Sequence, residues 1–124
     1  MDTVLWILQI LLALAFLAAG VNHATQRDKA SGRSAWMLAV TKPVLTTIGI
    51  LEIAGAAGLV LPAVTGIAPW VTPLAAALLA LLMVFAAGFH LRRPGEGMNA
   101  GPNLILAALV GFVAVGRLVF APYV

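Results

Sequence analysis

The chain has 124 residues, of which 63% are hydrophobic and 9% are charged, and its mean hydropathy is +1.10. Soluble domains carry about 25% charged residues, and a chain of this size keeps about a third of its surface exposed after folding. The composition therefore excludes a soluble globular domain, and it excludes disorder because disorder requires low hydrophobicity. An integral membrane protein remains. Because the chain has no cysteine, it makes no disulfide and performs no thiol redox chemistry by itself.

The first predicted span covers residues 4–21, which are uncharged and include Gln9 as the strongly polar side chain. The chain starts Met1-Asp2-Thr3 without a basic residue, which argues against a cleaved signal peptide. The next stretch, residues 31–41, is too short to cross a membrane. It fits either an interfacial helix anchored by Trp36 or an amphipathic loop.

Three further spans are predicted at residues 44–61, 74–91 and 103–121. Glu52 interrupts the first of these, His90 ends the second and Arg117 lies inside the third. Prolines mark the boundaries of the spans, at positions 43, 62, 73, 94 and 102. No alternation of apolar and polar residues indicates barrel strands. We expect an all-α fold, a four-helix membrane bundle that forms one domain over residues 1–124.

The basic residues predict the orientation of the bundle. Six of the seven lie between spans one and two or between spans three and four, and these connections share a side: Arg27, Lys29, Arg33, Lys42, Arg92 and Arg93. The positive-inside rule makes this side cytoplasmic, so both termini are expected outside the cytoplasm. The net charge of +3 therefore reflects the basic residues that set the orientation in the membrane. We expect the chain to contact a lipid bilayer and not to bind nucleic acid.

The charged residues inside the spans form the first candidate site. Ionisable side chains within a membrane are costly and usually find partners inside the bundle. Counted along the helices, Gln9 and Arg117 lie at similar depths near the outer ends of their spans, and Glu52 lies deeper. We expect a Glu52–Arg117 pair with Gln9 beside it. Three roles stay open for Glu52: a packing contact, a carboxylic acid kept neutral by burial, and a substrate or proton-relay group.

A second candidate site gathers at the predicted cytoplasmic ends of the spans. Asn22 and His23 follow span one, His90 ends span three and Asn103 begins span four. Helical spacing places His23 on the same face as Gln9, and Asn103 on the same face as Arg117. The alternative is ordinary capping and interfacial hydrogen bonding. No metal is expected, because two histidines fall short of the four ligands of a structural zinc site.

The chain resembles a known family. The second span, Ile48 to Pro62, reads IGILEIAGAAGLVLP and is similar to the second-span motif of the DoxX-like family of small four-span membrane proteins. Further similar segments are Leu5 to Gln9, Phe16 to Gly20, Thr72 to Ala76, His90, Asn103 and Gly116-Arg117. The resemblance covers nearly the whole chain. The chain departs from the family at Asn22-His23-Ala24, where family members are often rich in lysine.

The resemblance implies a membrane bundle whose relatives include accessory or assembly factors and proteins associated with a quinone-linked oxidoreductase. It carries Glu52, His90, Asn103 and Arg117 over as candidate functional positions. We therefore expect an accessory or assembly factor of a membrane complex, in a bacterial inner membrane, without catalysis of its own. The alternatives are a binder or transporter of a small apolar solute such as a lipid or quinone, and a subunit of a quinone-linked oxidoreductase. A membrane protein partner and a homo-oligomer both stay open.

Overall fold

Four long helices form the chain in a computed structural model that describes residues 1–122. Each helix is long and apolar enough to cross a membrane. Their bounds are Asp2–Thr25 for α1, Lys42–Thr65 for α2, Val71–Leu91 for α3 and Gly97–Val115 for α4, which continues as a π-helical turn over Gly116–Phe120. The predicted all-α, four-span fold is therefore confirmed.

Three helices, α2, α3 and α4, extend past the prolines at which the predicted spans end or begin, and α3 begins at Val71, two residues before Pro73. The predicted span ending at residue 61 continues through Pro62 to Thr65, and α4 begins at Gly97 with Pro102 inside it. A proline removes the helical hydrogen bond to the carbonyl four residues earlier. For Pro62 that carbonyl belongs to Gly58, and the buried Thr72 hydroxyl donates to it at 2.9 Å. This replacement bond lets α2 continue for three residues beyond the proline.

The helices form an antiparallel ring in chain order. α1 packs most extensively against α2 and α3 against α4, while the α2–α3 and α1–α4 contacts are smaller. The core consists of apolar side chains from all four helices: Leu5, Leu12, Phe16, Ala56, Leu59, Ala76, Leu79, Met83, Val110, Val113 and Ala114. Large apolar side chains also cover the outside, among them Leu14, Phe85 and Ile105. In lipid such a surface is solvated, whereas in water it would drive aggregation.

Backbone contact between Gly20 and Gly49 sets the register of α1 on α2. A Cβ placed on Gly20 would lie 2.6 Å from the Gly49 carbonyl oxygen, and one on Gly49 would lie 2.5 Å from the Gly20 carbonyl oxygen. Only residues without a side chain let two helix backbones approach this closely in a membrane. The contact thus determines which polar residues of α1 and α2 face each other.

Two short 3₁₀ segments connect α1 to α2: η1 over Arg27–Lys29 and η2 over Gly32–Ala39. The stretch for which a helix and a loop were both open is therefore helical. Met37 is 1% exposed, so η2 packs against the bundle. The Arg27 guanidinium donates to the carbonyls of Val40 at 2.7 Å and Leu38 at 3.2 Å, which holds η2 in place.

Candidate functional site: polar clusters at opposite ends of the bundle

The bundle has two chemically different ends. We call the end with η1, η2 and the α3–α4 connection the basic end, because six of the seven basic residues lie there. The opposite end, called the terminal end, carries the start of α1, the α2–α3 connection and the end of α4. A cluster of polar side chains lies toward each end.

Arg117 is the centre of the cluster at the terminal end. Its guanidinium is buried, and its Nε donates to Gln9 Oε1 at 2.7 Å while a terminal nitrogen donates to Asp2 Oδ1 at 2.5 Å. The Gln9 amide in turn donates to the Leu59 carbonyl at 2.6 Å. The Trp6 ring faces the guanidinium, with 5.7 Å between its centroid and the guanidinium carbon. The predicted proximity of Gln9 and Arg117 is confirmed.

Arg117 lies in the π-helical turn that ends α4. The Ala121 N–H donates to the Gly116 carbonyl at 2.8 Å, five residues back, and Arg117 donates to the Ala121 carbonyl at 3.1 Å. A π-helical turn widens the helix locally and is frequent at functional positions. Arg117 lies in this widened turn, and its guanidinium points toward Gln9 and Asp2 of α1.

The predicted Glu52–Arg117 pair is wrong. Glu52 is 1% exposed and its carboxylate lies 2.5 Å from Nδ1 of His23, while Arg117 bonds to Gln9 and Asp2. The Gln9 bonds place Arg117 level with Leu59, which is seven residues and about 10 Å along the axis from Glu52. Span two was predicted to end at residue 61, whereas α2 ends at Thr65. Glu52 therefore lies four residues farther from the terminal end of its helix than predicted.

Side-chain direction explains why Glu52 meets His23. In a helix the Cα–Cβ bond tilts toward the N-terminus of that helix. α1 and α2 are antiparallel, so Glu52 leans toward the basic end and His23 leans toward the terminal end. The two side chains therefore converge across the interface that Gly20 and Gly49 set.

Trp36 of η2 brings the two histidines of the basic end into one cluster. Its ring lies edge-on to His23 at 5.3 Å and to His90 at 5.0 Å between centroids, and Phe89 lies 6.1 Å away. Edge-to-face packing at these distances is favourable for aromatic rings. The half-buried Trp36 therefore contacts protein on both sides. His23 and His90 were predicted to group together, and each of them contacts the Trp36 ring, which lies between them.

Glu96 completes the basic-end cluster. His90 Nδ1 lies 2.9 Å from Glu96 Oε1, and the Arg93 Nε donates to the other carboxylate oxygen. Burial raises the pKa of the Glu96 carboxyl, but the hydrogen bonds from His90 and Arg93 and the charge of Arg93 outweigh it. The pKa of Glu96 therefore lies below its ordinary value, and Glu96 carries its charge at neutral pH.

The remaining two members of the predicted cluster lie apart from it. Asn22 is exposed and donates to the Met37 sulfur at 3.9 Å, a weak contact. Asn103 is half-buried on α4 and makes no hydrogen bond to Asn22, His23 or His90 in the described chain. Over residues 1–122, no three of the His, Asp and Glu side chains come together as they would around a metal ion.

A groove opens sideways between α2 and α3, whose contact is smaller than that of α1 with α2 or of α3 with α4. Its volume is about 420 Å³, and every residue that lines it is apolar. The helices touch where Gly55 faces Leu79 and Gly58 faces Ala75. The groove is lined by Leu51, Ala54, Gly55, Gly58, Val71, Leu74, Ala75, Leu78, Leu79, Leu81, Leu82 and Phe85. It lies within the spans and therefore faces lipid.

The sequence did not predict the two exterior acidic members of these clusters, Asp2 and Glu96. The spacing of Glu96 three residues after Arg93 is a signal for such a pair. Asp2 lies seven residues before Gln9, two turns along the same face of α1, and this spacing would have placed it near Arg117.

Comparison with families of known proteins gives a match over most of the chain. A family model described as the DoxX-like family matches residues 7–113. Searches of curated proteins and of solved structures gave no significant match. The matched segment contains every member of the basic-end cluster, whereas Asp2 and Arg117 lie outside it.

Proposed function

The chain belongs to the DoxX-like family of membrane proteins, and on this premise we propose that it is an accessory or assembly factor of a membrane complex, without catalysis of its own. The proposal is supported by the way the bundle uses its polar groups. Gln9, Glu52, His90 and Arg117 are each buried, and each bonds to another group of the same chain. Groups engaged in this way stabilise the bundle.

The core between the two clusters also supports this proposal. Leu12, Phe16 and Ala56 lie between Arg117 and Glu52 along the helices and are at most 5% exposed. Apolar packing of this kind separates the polar clusters instead of joining them along a path for a polar solute. The surface that is free to meet another molecule is therefore the lipid-facing side of the bundle.

The groove between α2 and α3 is where we expect the partner protein to contact the bundle. From Val71 to Phe85 it extends over fifteen residues of α3, and the fourteen steps between them rise about 21 Å along the axis. Half of the hydrocarbon core is about 15 Å thick, so the groove crosses the midplane and a lipid tail from one leaflet would fill only part of it. A transmembrane helix would fill it throughout. Ala54 and Gly58 in its floor allow such a helix to approach closely.

The test is co-purification of the full chain from its native membrane with paired variants. Ala54→Phe fills the groove, and Ala57→Phe adds the same ring to an exposed position of α2 outside the groove. We expect a membrane protein to accompany the wild-type chain at a fixed ratio, as measured by native mass spectrometry, and to be lost from Ala54→Phe alone. A second copy as the sole companion would indicate a homo-oligomer instead. Equal behaviour of the two variants would contradict the proposal.

The same groove favours a second candidate function, the binding or transport of a small apolar solute. Its volume of about 420 Å³ falls in the range of roughly 300–1,000 Å³ typical of ligand pockets. Its lining offers no polar side chain to a quinone carbonyl, so it suits an apolar tail and does not fit a quinone head group. A defined lipid or isoprenoid in the solvent extract of the wild-type protein, absent from Ala54→Phe, would support this second function.

A further inference from the structure

The buried carboxylate of Glu52 requires a counter-charge. It lies ten residues into α2, about 15 Å from the start of the helix. Burying an isolated carboxylate is strongly unfavourable unless it is paired or protonated. Among the described residues its hydrogen-bond partner is His23, whose Nδ1 is 2.5 Å away. A proton shared by these two side chains makes the pair neutral.

Four other charged or titratable side chains near this end are engaged elsewhere, and Lys29, Arg33 and Arg92 are exposed. On the η1 and α2 side, Arg27 and Lys42 both contact Asp28. On the α3 and α4 side, His90 and Arg93 both bond to Glu96.

Arg117 does not neutralise Glu52 either. It lies about 10 Å further along the bundle and bonds to Asp2. The proton that balances the charge of Glu52 is therefore the one that it shares with His23.

The histidine has access to the solvent that Glu52 lacks. The His23 side chain is 17% exposed and that of Glu52 is 2% exposed. Nδ1 faces Glu52, and Nε2 makes no hydrogen bond in the described chain. One ring nitrogen can therefore exchange a proton with the basic end while the other holds the carboxylate.

We propose that His23 and Glu52 form a proton-binding site inside the membrane that loads from the basic end alone. A hydronium ion at the basic end gives its proton to Nε2 of His23, and the Nδ1 proton moves into the hydrogen bond with Oε1 of Glu52. The pair then has no net charge, and the proton leaves by the reverse steps. The apolar core around Phe16 and Leu59 closes the way to the terminal end, so the site binds a proton and does not conduct it.

Trp36 provides the means of testing the site. Its ring lies 5.3 Å from that of His23, so a change in the charge of the imidazole changes the surroundings of the indole. Replacing Trp6 and Trp70, the other two tryptophans, by Phe leaves Trp36 as the sole tryptophan. The double variant is reconstituted in vesicles, and the pH is stepped on one side at a time while Trp36 fluorescence is recorded.

We expect a fluorescence change when the pH is stepped at the basic end and none when it is stepped at the terminal end. His23→Gln should lose the change, and His90→Gln, which alters the other histidine beside Trp36, should keep it. Glu52→Gln should give a smaller fluorescence change for the same pH step, because the variant removes the negative charge that the proton on His23 balances. Glu52→Gln is nearly isosteric, and its elution and helical content are compared with those of the parent.

Three results would overturn the proposal: an equal response from both sides, a response that survives in His23→Gln, or a response in Glu52→Gln as large as that of the parent. If a variant fails to fold, ¹⁵N NMR of the His23 ring in the unmutated site decides instead. The proposal expects the Nδ1 signal of a strongly hydrogen-bonded proton, and an ordinary neutral imidazole would contradict it. The site does not rest on the accessory role, and each can fail without the other.

Discussion

Replacing Gly49 by alanine tests the contact that aligns the helices and with it the His23–Glu52 site. The added Cβ would lie 2.5 Å from the Gly20 carbonyl oxygen and 2.9 Å from the Ala24 nitrogen. Real Cβ contacts essentially never fall below 3.0 Å, and both neighbours are backbone atoms that no rotamer change can move. The two backbones must therefore separate by at least about 0.5 Å. Overpacking of this kind costs about 1–3 kcal/mol.

Gly88→Ala is the matched control, because a Cβ at Gly88, also within a spanning helix, meets nothing within 4 Å. Both variants gain the helix propensity of alanine, up to about 1 kcal/mol, so their difference isolates the clash. We expect Gly49→Ala to unfold more easily than Gly88→Ala by about 1–3 kcal/mol, measured by denaturant titration in detergent micelles. Equal stabilities of the two variants would show that the space between the Gly20 and Gly49 backbones can hold a Cβ, which would contradict the close contact.

Three further predictions concern the ends of the bundle. Gln9→Leu removes the acceptor of Arg117 and the donor to the Leu59 carbonyl, and we expect a loss of about 1–3 kcal/mol in unfolding free energy; unchanged stability would contradict the network. Because the pKa of Glu96 is lowered in the fold, its contribution to stability is complete above its ordinary pKa of 4.5 and is lost as the pH falls through the lower folded value. Glu96→Gln should therefore flatten the loss of melting temperature below pH 4.5, and an unchanged acid limb would argue against the pair with His90. The chain lacks cysteine, so Lys29→Cys and Thr65→Cys report orientation; an impermeant maleimide added to intact cells should label Thr65→Cys alone, and labelling of Lys29→Cys would reverse the topology.

The two ends of the bundle were not equally predictable. The depths of Gln9 and Arg117 counted from the ends of their spans predicted their contact, because a helix rises by a fixed amount per residue. The same counting failed for Glu52, because its depth depends on where α2 ends. Pro62 indicates an end, and α2 continues beyond it because Thr72, in the next helix, supplies a hydroxyl to the Gly58 carbonyl.

Long-range contacts account for the other differences. Trp36 predicted an anchor at the membrane interface, since an amphipathic stretch with a tryptophan is typical of one. In the structure its ring separates His23 from His90, a placement that depends on how η2 folds back over the bundle. Asn22 was grouped with the histidines by its depth, and Asn103 by its depth and by the helix face that it shares with Arg117. Neither property specifies which side chains a residue contacts.

The sequence by itself determined the membrane class, the number of spanning helices and the polar side chains inside them. These follow from composition, from runs of apolar residues and from the cost of burying charge, all of which are local properties of the chain. The tertiary structure alone decided the partners of those side chains. Glu52 meets His23 and not Arg117 because Gly20 and Gly49 bring α1 and α2 into backbone contact at one register, and in a low-dielectric interior the nearest group that can hold a proton becomes the partner.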